Sequence, residues 1–332
     1  MKQKKTHLVV SLAALVALAG LVTFVARTGY GQAQAETQAT AARPLALMPE
    51  KPAASEATTA DAASKPTAAA AVPSNEKVTS LFAAAAERNT LLKYELSWAF
   101  GGKQQRGWYL YTPLISRMLA TKGEAAGDNF AAALSRWQKS SGLQPSGVLD
   151  GDTLYRMVGE WQGARLKHKA HARPDELLLA PSSDFYDPSR PDALRQVERE
   201  TYAAYKRMLA AAAADPSLGL KLTAAGELAP EERFLKIISA HRSPEYQARL
   251  RAQSPHSGRA GLAVNSPHFT GRALDIYVGG EPVETKDSNR ALQVQTAAYR
   301  WLVQNAERFG FRPYYYEPWH WEYVGTATAA SR

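Results

Sequence analysis

The sequence predicts an α+β fold, a small antiparallel sheet with flanking helices, preceded by a small all-α domain. Two observations carry this. Between residues 184 and 324, short period-two runs mix with helical stretches without the strand–helix–strand rhythm of a parallel sheet. Between 78 and 167, apolar residues recur only at helical spacing. A length of 332 residues with 45% hydrophobic content leaves room for an export segment and two modest domains, each with its own core.

The elements follow in order. Lys2, Lys4 and Lys5 precede an uncharged, mostly apolar run over 8–26, and Ala33-Gln34-Ala35 has the form of a small-residue cleavage site. Residues 1–35 therefore read as a signal peptide or a retained signal anchor in the inner membrane. Either puts the remainder on the periplasmic or cell-wall side. Residues 36–76 are rich in Ala, Thr, Pro, Ser and Glu and hold no aromatic residue, the composition of a flexible tether. Helices are expected over 81–87, 91–99, 114–119, 130–140 and 153–161 within a domain at 78–167. Residues 168–183 begin with a basic, Pro-containing stretch and read as a linker, with His168 and His171 as surface residues.

The domain at 184–324 opens on a helix over 191–213. A short strand at 234–238 runs into Ser239-Ala240-His241-Arg242-Ser243, and Pro244 is a suitable first residue for the next helix. Residues 273–278 alternate with period two, placing Leu274, Ile276 and Val278 on one face and Ala273, Asp275 and Tyr277 on the other. A helix over 289–309 precedes strands at 314–316 and 319–324, and 325–332 is a tail.

The chain has no cysteine, which excludes disulfides and thiolate metal sites, so a metal would be held by His, Asp or Glu. Four of the nine net positive charges lie in the export segment. The remainder is modest for this length, and an anionic cell wall accounts for it, so no nucleic-acid partner is expected.

The informative residues are His268, Asp275, Glu317 and His320. Gly271 lets the chain bend between His268 and the strand carrying Asp275, and His320 follows forty-five positions later. Two imidazoles and one carboxylate make the three N/O ligands of a catalytic zinc site, with Glu317 placed to take a proton from water. A histidine satisfied by a backbone carbonyl and an aspartate serving as a cap would account for the same residues one at a time.

The chain resembles a peptidase family. Ser266-x-His268-x-x-Gly271-x-Ala273-x-Asp275, Glu317-x-Trp319-His320, and Arg242-Ser243 followed by Gln247 match, in order, the pattern of the D-alanyl-D-alanine carboxypeptidases and dipeptidases related to vancomycin resistance. These share a fold with some phage endolysins and the Hedgehog signalling domain. The resemblance implies that His268, Asp275 and His320 bind Zn2+, that Glu317 is the general base, that Arg242 stabilises the oxyanion, and that Ser266 and Gln247 hold the substrate. It implies a zinc peptidase acting on peptidoglycan stem peptides as a D,D-carboxypeptidase, with an L,D-carboxypeptidase or cross-link endopeptidase as variants of the same chemistry. A wall-binding scaffold without catalysis is the reading from another class. His241 stands where relatives commonly carry Tyr, and Ser254-Pro-His256 echoes the metal motif without its Asp. Separately, Phe130 to Gln138, Gly142-Leu143, Ser146 to Asp150 and Thr153 resemble the repeat of small helical peptidoglycan-binding domains.

Overall fold

The structure is a computed structural model that describes residues 75–121, 127–253 and 263–325, with side chains from residue 81 onward. The export segment, the tether up to residue 74, the loop with His256 and the tail beyond Gly325 lie outside the described residues. Among the described residues no helix is long and apolar enough to cross a membrane, and the apolar run 8–26 is not among them. The described residues all fall in one compact unit.

The helical region begins with α1 (Asn75–Glu95), which covers the helix expected over 81–87 and the first half of that expected over 91–99. It stops before residue 99 because Gly101 and Gly102 take φ of +59° and +78°. That left-handed pair closes a two-residue hairpin between β1 (Ser97–Phe100) and β2 (Lys103–Arg106). Then come α2 (Thr112–Met118), α3 (Asp128–Ser140) and α4 (Gly151–Gly163). Gln138, buried on α3, donates to the Val148 carbonyl and Thr153 Oγ1 at 2.9 Å each and accepts from Gly147 N at 2.8 Å. The amide thus holds the α3–α4 loop against the helix pair, and Asp150 caps α4 through Thr153 N.

Residues 177–179 lie within the stretch read as a linker, yet they form a strand. β3 (Leu177–Leu179) pairs antiparallel with β4 (Gln196–Glu198). The helix expected from 191 starts later, as α5 (Arg199–Ala213), because Glu198 caps it by accepting from Glu200 N and Thr201 N. After β5 (Ile237–Ser239) and α6 (Pro244–Gln253), the chain passes through a 3-10 turn, Pro267–Thr270, into β6 (Ala273–Ile276). The long helix expected over 289–309 is broken into α7 (Asp287–Gln295) and α8 (Ala297–Asn305). Thr296 breaks it: its ψ of 149° is extended, and its hydroxyl bonds the Val278 carbonyl at 2.7 Å while capping Tyr299 N. The return strands are β7 (Phe311–Pro313) and β8 (His320–Tyr323), with Tyr314–Tyr316 in the turn between them. β7 starts earlier than the expected 314–316.

The resulting sheet is antiparallel in the order β5-β6-β8-β7. The α+β class with small antiparallel sheets and flanking helices is as the sequence predicts. The helical region packs onto this sheet's surroundings through aromatic rings. Tyr315 meets Phe100, Tyr111 and Trp161 at centroid distances of 5.0, 5.4 and 5.9 Å. Beside them the fully buried Arg290 donates to Tyr111 Oη at 2.9 Å and lies over the Tyr316 ring. Burying a charge requires such partners, so the two regions share a core as well as a chain.

Candidate active site

Sheet register assembles the site. Asp275 on the central strand β6 lies opposite Ser239 of β5 on one side and His320 of β8 on the other. His268 arrives from the 3-10 turn, whose Ser266 caps it by accepting from His268 N at 3.3 Å. Gly271 ends that turn at φ +67°, and a Cβ there would sit 2.9 Å from Leu177 Cδ2 and 3.0 Å from Glu198 N. Only glycine fits both the conformation and the space.

His268 Nε2 lies 3.2 Å from Asp275 Oδ1, and His320 Nδ1 lies 2.9 Å from the same oxygen. One ligand atom from each residue falls within 4.8 Å of the others, and all three residues are buried. The opposite ring nitrogens are committed elsewhere. His268 Nδ1 bonds the Ala240 carbonyl at 2.6 Å, and His320 Nε2 faces Glu322 Oε1 at 3.2 Å. The remaining nitrogens converge on Asp275, the arrangement in which a histidine's outer hydrogen bond fixes its ligating tautomer. The donor set, its burial and these outer partners fit a divalent metal held by two nitrogens and one carboxylate.

The charges around the cluster are polarised. Burial raises the Asp275 carboxyl, but His268 and Arg242 more than offset it and hold it well below the usual range. Burial, reinforced by Arg242, pushes His268 down to about 4. Burial also acts to lower His320, yet its hydrogen bonds to Asp275 and Glu322 prevail and raise it to about 9. Glu317 is buried and raised to about 7, chiefly by loss of solvent, with His320 opposing and Asp275 adding to the rise. A carboxyl poised there can both take and give a proton near neutrality.

His320 therefore holds a proton in the metal-free protein until the pH approaches its raised pKa, and a metal must displace it. Affinity for a divalent ion should rise roughly tenfold per unit between about pH 6 and 8, the slope for one proton released, and flatten near pH 9. Chelator competition at several pH values measures this. An affinity that does not change with pH would place His320 neutral in the apo protein.

Arg242 donates from Nε to Ser239 Oγ at 2.9 Å and forms an ion pair with Asp275 Oδ2. Its Nη1 reaches Gln247 Oε1 at 3.5 Å, while the buried Gln247 amide donates to the Ala263 carbonyl. All seven residues singled out in the sequence thus lie in or beside one cluster. His241, by contrast, is not in the ligand group; burial and His171 lower its pKa. His171 packs its ring against Phe269 at 4.8 Å.

Sequence reasoning missed Ser239, Glu322 and Arg165. Glu322 had a signal, because strand period places it on the face of His320. Arg165 had none. It reaches Glu322 from 157 positions away, by an ion pair and a 3.1 Å bond from Nε.

Residues 194–326 match the family model VanY, D-alanyl-D-alanine carboxypeptidase. The match starts after the helical region and takes in every site residue of the cluster except Arg165. No curated protein matches the chain.

Proposed function

Taking residues 194–326 as a VanY domain, and the chain therefore as a peptidase of D-alanyl-D-alanine carboxypeptidase type, we propose that it is a zinc enzyme removing the terminal D-Ala of peptidoglycan stem peptides. The observation that carries the zinc reading is the buried His268–Asp275–His320 group with both outer ring nitrogens already bonded. In this reading these three residues hold Zn2+, Glu317 is the general base, Arg242 stabilises the oxyanion, and Ser266 and Gln247 hold the peptide. The helical domain at 78–167 would bind the wall, and residues 1–35 would export or anchor the chain.

Zinc bound there would supply Lewis-acid polarisation of the scissile carbonyl and acidify the attacking water. Glu317 accepts that water's proton on its carboxylate and returns it to the leaving amine nitrogen, which its raised pKa suits. Arg242, clamped by Ser239, presents a fixed guanidinium to the negative charge that develops on the carbonyl oxygen, a stabilisation commonly worth about 3 kcal/mol in a water-poor site. Asp275 keeps both histidines aligned, and the Ala240 carbonyl keeps the His268 proton on Nδ1.

Product analysis tests the bond assignment. Metal-loaded protein incubated with a pentapeptide muropeptide, a tetrapeptide muropeptide and a cross-linked dimer should shorten the pentapeptide by one alanine and leave the other two intact. Mass spectrometry reads the outcome. Tetrapeptide shortened to tripeptide would make it an L,D-carboxypeptidase, cleaved dimer an endopeptidase, and three unchanged substrates would contradict the proposal.

A further inference from the structure

Glu322 is fully buried, and a buried carboxylate is stable only when its oxygens are satisfied. His320 supplies one partner. The others come from the segment just after α4. Arg165 donates from Nε to Glu322 Oε1 at 3.1 Å and pairs with the same oxygen through Nη2, while Leu166 N donates to Oε2 at 3.0 Å. Arg165 is itself pinned. Its Nη1 donates to Gln162 Oε1 at 2.7 Å, its guanidinium lies 4.0 Å from the Tyr314 ring centroid, and its side chain is only 16% exposed. Tyr314 in turn packs edge-on against His320 at 6.0 Å.

We propose that Arg165 is a positioning residue for His320, acting through Glu322, so that the end of the helical region sets the geometry of the metal site. The inference rests on the metal reading above. Without the guanidinium, Glu322 would keep a buried charge with one fewer partner and turn toward water, releasing the Nε2 side of the imidazole. Nδ1 would then no longer be held toward Asp275. The helical region and strand β8 are thereby one functional unit, and a metal site complete in its ligands still depends on a residue far outside the ligand motifs. Outer hydrogen-bond partners of this kind are worth about 10–100-fold in metal affinity.

The test compares the full chain with Arg165→Met, Arg165→Lys, Glu322→Gln and the double variant Arg165→Met/Glu322→Gln. Zinc affinity is read by chelator competition, with kcat, KM and the unfolding midpoint measured beside it. Tyr111→Phe removes the Arg290 bond elsewhere on the seam and controls for loosened packing. Arg165→Met and Glu322→Gln should each weaken zinc binding by about 10–100-fold and lower kcat, with KM nearly unchanged. The double variant should be no worse than the weaker single one, since both break one chain of contacts. Arg165→Lys keeps the charge and the fold without the planar fork, and should fall between wild type and Arg165→Met. Tyr111→Phe should bind zinc as wild type does. Normal zinc affinity in Arg165→Met and Arg165→Lys, or losses that multiply in the double variant, would overturn the inference alone. A wild-type chain that takes up no zinc would overturn the function reading and this inference with it.

Discussion

Glu317→Gln is expected to lower turnover by about 10²–10⁴-fold, the usual worth of a positioned general base. The substitution keeps the side chain's shape and removes only the proton acceptor. Glu317 is buried beside the cluster and its carboxyl is raised to about 7, so a neutral amide is tolerated there and the fold should not suffer. The loss should therefore appear in kcat, with KM and the unfolding midpoint close to wild type. Turnover within a few-fold of wild type would remove Glu317 from the chemistry.

His320→Ala should have the larger effect, abolishing both metal retention and activity. It leaves two protein ligands where three are needed. It also strands two buried carboxylates, Asp275 and Glu322, each of which currently accepts from the imidazole. Of these, Glu322 keeps Arg165 and Leu166 N, and Asp275 keeps Arg242, so the protein should still fold with a lowered midpoint. The loss of affinity should exceed the roughly 10–100-fold expected from an outer partner such as Glu322. Metal content by elemental analysis after dialysis, with a peptide assay on the same sample, checks it. Retained stoichiometric metal would mean that His320 is not a ligand.

The grouping of His268, Asp275 and His320 is legible in the sequence because its parts sit in short motifs. His268 and Asp275 are separated by one turn whose glycine can be read from the sequence, and His320 follows Glu317 within a short motif. The alternation at 273–276 placed Asp275 on the correct strand, and antiparallel pairing then brought His320 opposite it. Other features depended on contacts that pattern does not encode. Helical periodicity runs through Thr296 without a break, and only its hydroxyl bond to the Val278 carbonyl reveals why the helix stops there. The strand at 177–179 is three leucines whose partner lies at 196–198, and a basic stretch before it looks like a linker. The domains expected at 78–167 and 184–324 meet through contacts that neither stretch announces on its own. The aromatic seam around Tyr315 and the Arg165–Glu322 pair join residues too far apart in sequence for any window to connect.

Ligand and base are proposed here as different residues of one site, three positions apart. The most direct measurement is the metal content of Glu317→Gln beside that of wild type and His320→Ala, prepared and dialysed together. Glu317→Gln should retain as much zinc as wild type while turning over far more slowly, and His320→Ala should retain none. Loss of zinc from Glu317→Gln as complete as that from His320→Ala would make Glu317 a ligand, and would contradict the assignment of His268, Asp275 and His320 as the metal-binding set.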